Sequence, residues 1–223
     1  MDNMNKKEYV VRLITREEAK PFILELHYAQ RLPSISYAYG LFKHNRIVGV
    51  CTIGKPASNS LCEGILGKQY KQNVFELNRL ITIDGLKDNS LSYFVGQVLK
   101  DIKKYNLILV SYADTGAGHN GYIYQATNWI YTGKTKERTD KYVPGNKHSR
   151  HYTNEFSHLR KVRTSKHRYI YMACDKTHKK EYMNNLKYEI VKEYPKNKNT
   201  NYILGEKLKE KIINKNTGEV YYE

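Results

Sequence analysis

The chain has 223 residues, with 38 Lys or Arg against 22 Asp or Glu, a formal net charge of +16. That length fits one domain, or one domain with an appendage, and 40% apolar residues suffice for a core. No apolar run reaches the roughly 18–20 residues of a bilayer span, the opening MDNMNKKEYVVRL has no secretory core, and Cys51, Cys62 and Cys174 lack metal-ligand spacing. These features argue against a membrane protein, a disulfide scaffold and a zinc ribbon, and for a basic cytoplasmic protein.

In chain order, 8–15 (EYVVRLIT) reads as a strand. Thr15 and Glu18 have capping-box spacing before a helical pattern that Pro21 kinks or restarts. The stretch 36–54 predicts two strands joined at His44-Asn45, and 56–73 shows no period and reads as loop. Alternation in 74–84 (VFELNRLITID) predicts a buried strand, 91–105 a helix and 106–114 a short strand of the parallel type. A glycine-rich turn (TGAGHNG) precedes a helix over 122–131; a strand follows at 167–173 and a linker at 195–201. Strands alternating with helices after an N-terminal meander imply an α/β fold with a mixed central sheet.

The basicity is concentrated. Residues 134–180 hold 14 basic and 4 acidic side chains together with five histidines. Arg, Lys and Tyr interleave in KHSRHY, HLRKVR and KHRYIY, which suits a polyanion: cations meet phosphates and rings stack on bases. The candidate DNA contacts are Lys147, Arg150, Arg160, Lys161, Arg163, Lys166 and Arg168. A solvated basic face is the plainer reading, but clustering on one segment favours double-stranded DNA as partner.

Two segments carry candidate chemistry. FELNRL places Glu76 and Asn78 on one face of a strand, with Arg79 opposite unless a bulge intervenes; a carboxylate in a dry cleft suits a general base, and a salt-bridged edge strand is the alternative. SYADTGAGHNG ends a strand with Asp114, Gly116, Gly118, His119 and Gly121, at the strand end where open α/β sheets bind ligands. Asp114 reads equally as a helix N-cap. His27 and Tyr28 close a helix, where His also complements the dipole.

The order of elements resembles the GNAT acyltransferase fold, and YQATNW (124–129) is similar to the end of its fourth helix, with Asn128 at a left-handed cap and Tyr124 in the place of an acid that protonates a leaving thiolate. The acyl-CoA loop of that fold is replaced by DGLKDNSLSYF, so acyl-CoA is the less expected cofactor. A closer resemblance covers roughly 20–195: LHYAQRLPS, FELNRL, SYADTGAGHNGYIYQATNWIYTGKTKERTD, HSRHY and KHRYIY resemble the Mom family of phage DNA-modification proteins. That resemblance implies a GNAT-like catalytic domain over 1–195 with its DNA-facing segment at 134–180, and a C-terminal extension over 196–223. It implies conversion of adenine in DNA to a base carbamoylmethylated on its exocyclic amine, which blocks restriction. It also implies iron as a candidate cofactor, with His27, Tyr28 and Asp114 or Glu76 as ligands, residue types that suit that metal.

The two lines join in one expected mechanism. The target base is extruded and received by Tyr37, Tyr39 or Trp129, with Arg79 beside the substrate. Glu76 or Asp114 takes the amine proton, Asn78 or His119 hydrogen-bonds the base or stabilises developing charge, and Tyr124 serves as acid. With 21 tyrosines in the chain, most belong to core or surface. The alternatives are an acyltransferase acting on a protein or small-molecule amine, and a DNA-binding phage protein without chemistry.

Overall fold

Two sheets organise the chain, seen in a computed structural model that describes residues 5–145, 151–196 and 202–223. In the larger sheet, β1 (Tyr9–Leu13), β2 (Tyr37–Lys43), β3 (Arg46–Gly54) and β4 (Val74–Thr82) pair antiparallel in sequence order. Next comes β5 (Leu107–Asp114), the parallel neighbour of β4, and then β6 (Ile130–Lys134) at the far edge, joined through β9 (Lys166–Ala173). The larger sheet is therefore mixed, antiparallel except where β4 and β5 run side by side. The smaller sheet holds β7 (Arg138–Lys141), β8 (Leu159–Arg163), β10 (Lys211–Asn214) and β11 (Val220–Tyr222), in the order β11-β10-β8-β7. The segment expected as a C-terminal extension is therefore woven into the basic region: Ile212 faces Lys161 and Ile213 faces Arg160 across an antiparallel ladder.

Helices cover both faces of the larger sheet, as strands buried on two sides require. α3 (Ser90–Ile102) buries Phe94, Val95, Val98, Leu99 and Ile102, positions on one side of a helix of 3.6 residues per turn, against Tyr39, Leu41, Ile53, Leu109 and Tyr169. On the other face α2 (Asn59–Leu66) and α5 (Lys176–Asn184) cover Val74, Ile108, Val110 and Ile170. α2 forms where the sequence reads as loop: Ser58 caps it, accepting from Leu61 N–H at 3.4 Å, and Cys62, Ile65 and Leu66 supply one buried stripe. One stripe in eight residues is too short to register as a period.

α1 (Arg16–Pro21) begins at the expected capping box, in which Glu18 N–H donates to Thr15 Oγ1 at 3.2 Å and Thr15 N–H to Glu18 Oε2 at 2.7 Å. After Pro21 the backbone widens into a π turn over Phe22–Leu26, closed by His27 N–H donating to Phe22 O. That turn delivers His27 and Tyr28 to the front of the sheet. α4 (Tyr122–Ala126) is shorter than the 122–131 helix read from the sequence. Asn128 takes the left-handed conformation, φ +61°, and Trp129 N–H donates back to Tyr124 O at 3.0 Å, so the chain reverses and enters β6. Asn tolerates that conformation better than most side chains.

Candidate active site between two diverging strands

β4 and β5 share only three register positions, Val74, Phe75 and Glu76 opposite Ile108, Leu109 and Val110. Beyond them each strand keeps its outer neighbour: β3 holds β4 as far as Thr82, and β9 holds β5 as far as Asp114. The two must therefore splay, and a cavity of about 1320 Å³ opens there. Its inner wall includes Glu76, Arg79, Asp114, His119 and Tyr124.

A bulge decides what β4 presents. Ile53 faces Leu77 and Thr52 faces Arg79, leaving Asn78 without a partner in the ladder. The extra residue resets the alternation, so Glu76 and Arg79 both line the cavity, correcting the simple alternation that put Arg79 opposite. Asn78 itself has a structural task. Its Oδ1 accepts from Thr52 Oγ1 at 2.7 Å and its Nδ2 donates to Ser34 O at 2.8 Å, so its side chain is spent on locking the bulge rather than on a base. The Glu76 carboxylate has no hydrogen-bond partner among the described residues. Burial raises its pKa, with Arg79 and Lys166 pulling partly back.

Asp114 has the opposite environment. It faces Lys166 across the β5–β9 ladder and forms an ion pair with it. Its Oδ1 also accepts from Gly116 N–H at 2.9 Å and Thr164 Oγ1 at 2.5 Å. Burial alone would raise its pKa, but Lys166, Thr164 and the Gly116 amide bring it below the usual value. Asp114 is thus a saturated turn carboxylate, and of the two candidate bases Glu76 has the geometry of an available one. The Gly116 amide in the glycine turn is spent on Asp114. At Gly121, φ +82°, an added Cβ would stand 2.3 Å from the Tyr169 ring, so that glycine is required by close packing.

Behind the split, Ser111 Oγ lies 2.7 Å from Leu77 O and 2.7 Å from the Tyr124 hydroxyl, bridging the strands where their ladder ends. Burial raises the pKa of the Tyr124 phenol and keeps it protonated. At the front, four rings form a cluster. His27 stacks on Tyr28 at 4.2 Å, Tyr202 meets Tyr28 edge-on at 4.9 Å, and His119 meets Tyr28 at 5.7 Å and Tyr202 at 5.9 Å. Burial raises the phenols of Tyr28 and Tyr202 to about 12 and lowers His27 to about 3, so these groups are neutral near pH 7. Tyr202 was not foreseen. Its neighbours are anchored by Gly205 N–H to Leu26 O at 3.0 Å and Gln30 Nε2 to Gly205 O at 2.8 Å, and no local pattern in the sequence announces such a contact.

The aromatic residues expected to receive a base lie elsewhere. Tyr39 is 1% exposed and donates its hydroxyl to Asp101 at 2.8 Å, and Trp129 is 1% exposed against Tyr124 and Tyr171. Tyr37 packs on Tyr105 and Phe75. All three are core or core-edge residues, because β2 and the turn after α4 face the α3 layer rather than the cavity.

The expected DNA contacts divide. Lys161, Arg163 and Lys166 line the cavity, each beside an acid: Lys161 pairs with Glu210, Arg163 Nε with Asp140 at 2.7 Å and Lys166 with Asp114. Arg168 lies over the Tyr188 ring at 3.3 Å and donates to Thr132, away from the cavity. Arg160 is not among the lining residues, and Lys147 and Arg150 lie outside the described residues. Lys136, Lys209 and Lys211 line the cavity without an acidic partner among the described residues. Two of these come from the C-terminal segment, whose own charge is nearly balanced in sequence.

His27, Tyr28 and Asp114, the donor set expected for iron, do not fit a metal as arranged. His27 Nδ1 accepts from Ala29 N–H at 3.0 Å, which places the proton of the neutral ring on Nε2 and leaves no imidazole lone pair to give. Asp114 is committed to three donors, and the Tyr28 phenol is held protonated by burial. Among the described residues no group of three His, Cys, Asp or Glu side chains is placed to hold a metal ion.

Fold and site together define a mixed α/β protein whose split central sheet holds a carboxylate, a guanidinium and a ring cluster in one cavity that lysines also line. The chain belongs to the Mom protein family, whose model matches residues 8–196. It is 30% identical over 131 residues to the methylcarbamoylase mom of Escherichia phage Mu, a match that spans 57% of this chain and about half (54%) of that protein. Solved structures of similar form include an N-acetyltransferase from Staphylococcus aureus Mu50 (11% identity, 74% of this chain and 98% of that one, TM-score 0.47) and a GNAT family acetyltransferase from Elizabethkingia anophelis with acetyl-CoA bound (11%, 75% and 99%, 0.42). No helix among the described residues is long and apolar enough to cross a membrane.

Proposed function

We propose that the protein is a DNA-modifying transferase that carbamoylmethylates the exocyclic amine of adenine in phage DNA and thereby protects it from restriction. Family membership and the name of the phage Mu relative support this reading. The observation that carries it is Glu76: a partly buried carboxylate without a hydrogen-bond partner among the described residues, lining a cleft that lysines without acidic partners among them also line.

Adenine's amine is stacked and paired inside the duplex, so it must be extruded at a cost of a few kcal/mol. Lys136, Lys209 and Lys211, with the paired Lys161, Arg163 and Lys166 behind them, offer charge to the backbone on either side. Tyr28, Tyr202 and His119 take the role first given to Tyr37, Tyr39 and Trp129, a surface on which the extruded base stacks. The amine lone pair is delocalised into the ring and nucleophilic only as its proton leaves. Glu76, raised toward the working pH by burial, accepts that proton while the new nitrogen–carbon bond forms. The departing group takes the proton of Tyr124, which Ser111 holds at the split. His119, a neutral ring in the same wall, hydrogen-bonds the base.

Mass analysis of nucleosides from plasmid DNA of expressing cells tests this. Wild type yields modified adenine, and Glu76→Gln lowers its yield by about a hundredfold or more, the usual worth of general acid–base catalysis. Equal yields from both would remove Glu76, and unmodified adenine with DNA binding retained would favour a binding protein without chemistry. The splay of β4 and β5 also favours a second reading, an acyltransferase with acyl-CoA between the strands; saturable CoA binding by the full chain, with no modified adenine in its DNA, would select it.

A further inference from the structure

Arg79 is a partly buried cation with no carboxylate in ion-pair contact among the described residues; Glu76 acts on it only from a distance. Its Nη1 donates to Asn78 O at 2.6 Å and its Nη2 to Arg31 O at 2.9 Å, both neutral carbonyls, and its Nε–H is buried without an acceptor. No carboxylate among the described residues lies within ion-pair distance of it. Asp114 is taken by Lys166, and Glu76, on the same strand, stands farther off. The other ionisable groups near it are Arg31, itself a cation, and the rings of Tyr28, Tyr202 and His27.

A guanidinium stays protonated at any physiological pH, and buried charges in native proteins are paired or bind a ligand. Of its five N–H donors, two are spent on carbonyls, and each terminal nitrogen keeps a second N–H. A planar fork of this kind matches a carboxylate. DNA phosphates have their own cations in the exposed Lys136 and Lys209 and the partly exposed Lys211, whereas Arg79 comes from β4, partly buried beside Tyr28 and Tyr202.

We propose that Arg79 is the counter-charge for a carboxylate on the small co-substrate that delivers the transferred group, bound in the inner cavity beside Tyr28 and Tyr202. This rests on the transferase reading, since a second substrate is needed only if a group is transferred. The bulge at Asn78 acquires a purpose: without the extra residue Arg79 would face away from Glu76.

The full chain, free of DNA, is titrated with acetate, acetamide and inorganic phosphate, followed by saturation-transfer NMR. Acetate is expected to bind saturably, and at least tenfold more weakly to Arg79→Gln. Acetamide, of the same shape without the charge, is expected not to saturate at tenfold higher concentration. Acetate binding unchanged in Arg79→Gln, or matched by acetamide, overturns the proposal. Phosphate binding tenfold tighter than acetate, and lost in the variant, also overturns it in favour of a phosphate. If Arg79→Gln fails to melt cooperatively, Arg79→Lys keeps the charge without the fork and should weaken acetate severalfold; the acetate–acetamide comparison needs no variant. The readout contains no DNA, so unmodified adenine in cells would sink the transferase reading while leaving this measurement to stand or fall alone.

Discussion

Replacing Tyr202 by Ala tests the ring cluster at the member that no local pattern announces. The ring touches three others, Tyr28 at 4.9 Å, His27 at 5.8 Å and His119 at 5.9 Å. Losing one aromatic wall of a base-stacking site costs about 1–3 kcal/mol per base, and each 1.36 kcal/mol is tenfold in rate, so modification should fall by about 5- to 150-fold. The backbone of the segment should stay in place: Gly205 N–H still reaches Leu26 O, Leu208 N–H still reaches Tyr28 O and β10 still pairs with β8. Tyr202 is only partly buried, so thermal stability should drop by a few degrees rather than collapse. The assay is the fraction of plasmid adenine modified at low conversion after fixed induction, with Tyr202→Phe as the control that keeps the ring and removes the hydroxyl. Tyr202→Phe should stay within about threefold of wild type, since ring contact rather than the hydroxyl carries the stacking. The reasoning is refuted if Tyr202→Ala modifies at the wild-type level, or if Tyr202→Phe is as impaired as Tyr202→Ala.

Three further outcomes are expected. Because burial raises the Glu76 pKa and the base must be deprotonated, modification by cell lysate should fall on acidification from a pH above the ordinary carboxylate value of about 4.3; a flat profile down to that value would contradict the assignment. Asp114 is depressed when folded, so its contribution to stability is complete above the unfolded pKa of about 3.9 and lost as pH falls through the lower folded value. Urea unfolding should find Asp114→Asn about 1–2 kcal/mol less stable at pH 7, a modest figure because the Lys166 side chain is 39% exposed, and the gap should narrow below pH 4. Replacing Lys136, Lys209 and Lys211 together by Ala should reduce the slope of log affinity for duplex DNA against log salt by about 3, one for each lost phosphate contact. An unchanged slope would move the DNA surface elsewhere.

How much of this was legible differs element by element. β4 declares itself through alternation, β5 through an unbroken apolar run of strand length, and α3 through apolar spacing repeated over more than three turns. The capping box at Thr15 was legible because it is set by residues within one turn, whereas the left-handed Asn128 was expected only from the resemblance of YQATNW to the end of a GNAT helix. α2, with a single buried stripe, and α4, cut short by that same Asn128, lie below the length at which a period shows.

At the site, Glu76, Asp114, His119 and Tyr124 were found as residues but not in their relations. The sequence by itself determined the mixed order of strands and helices and the concentration of positive charge. Only the tertiary structure decided that a one-residue bulge turns Arg79 toward Glu76, that Lys166 saturates Asp114, and that a chain end some 50 residues beyond β8 returns to pair with it and seat Tyr202 against Tyr28. The division is physical. Local propensity and burial periodicity act within a few residues, whereas these three outcomes depend on which distant strands share a ladder, and pairing partners leave no mark on the residues between them.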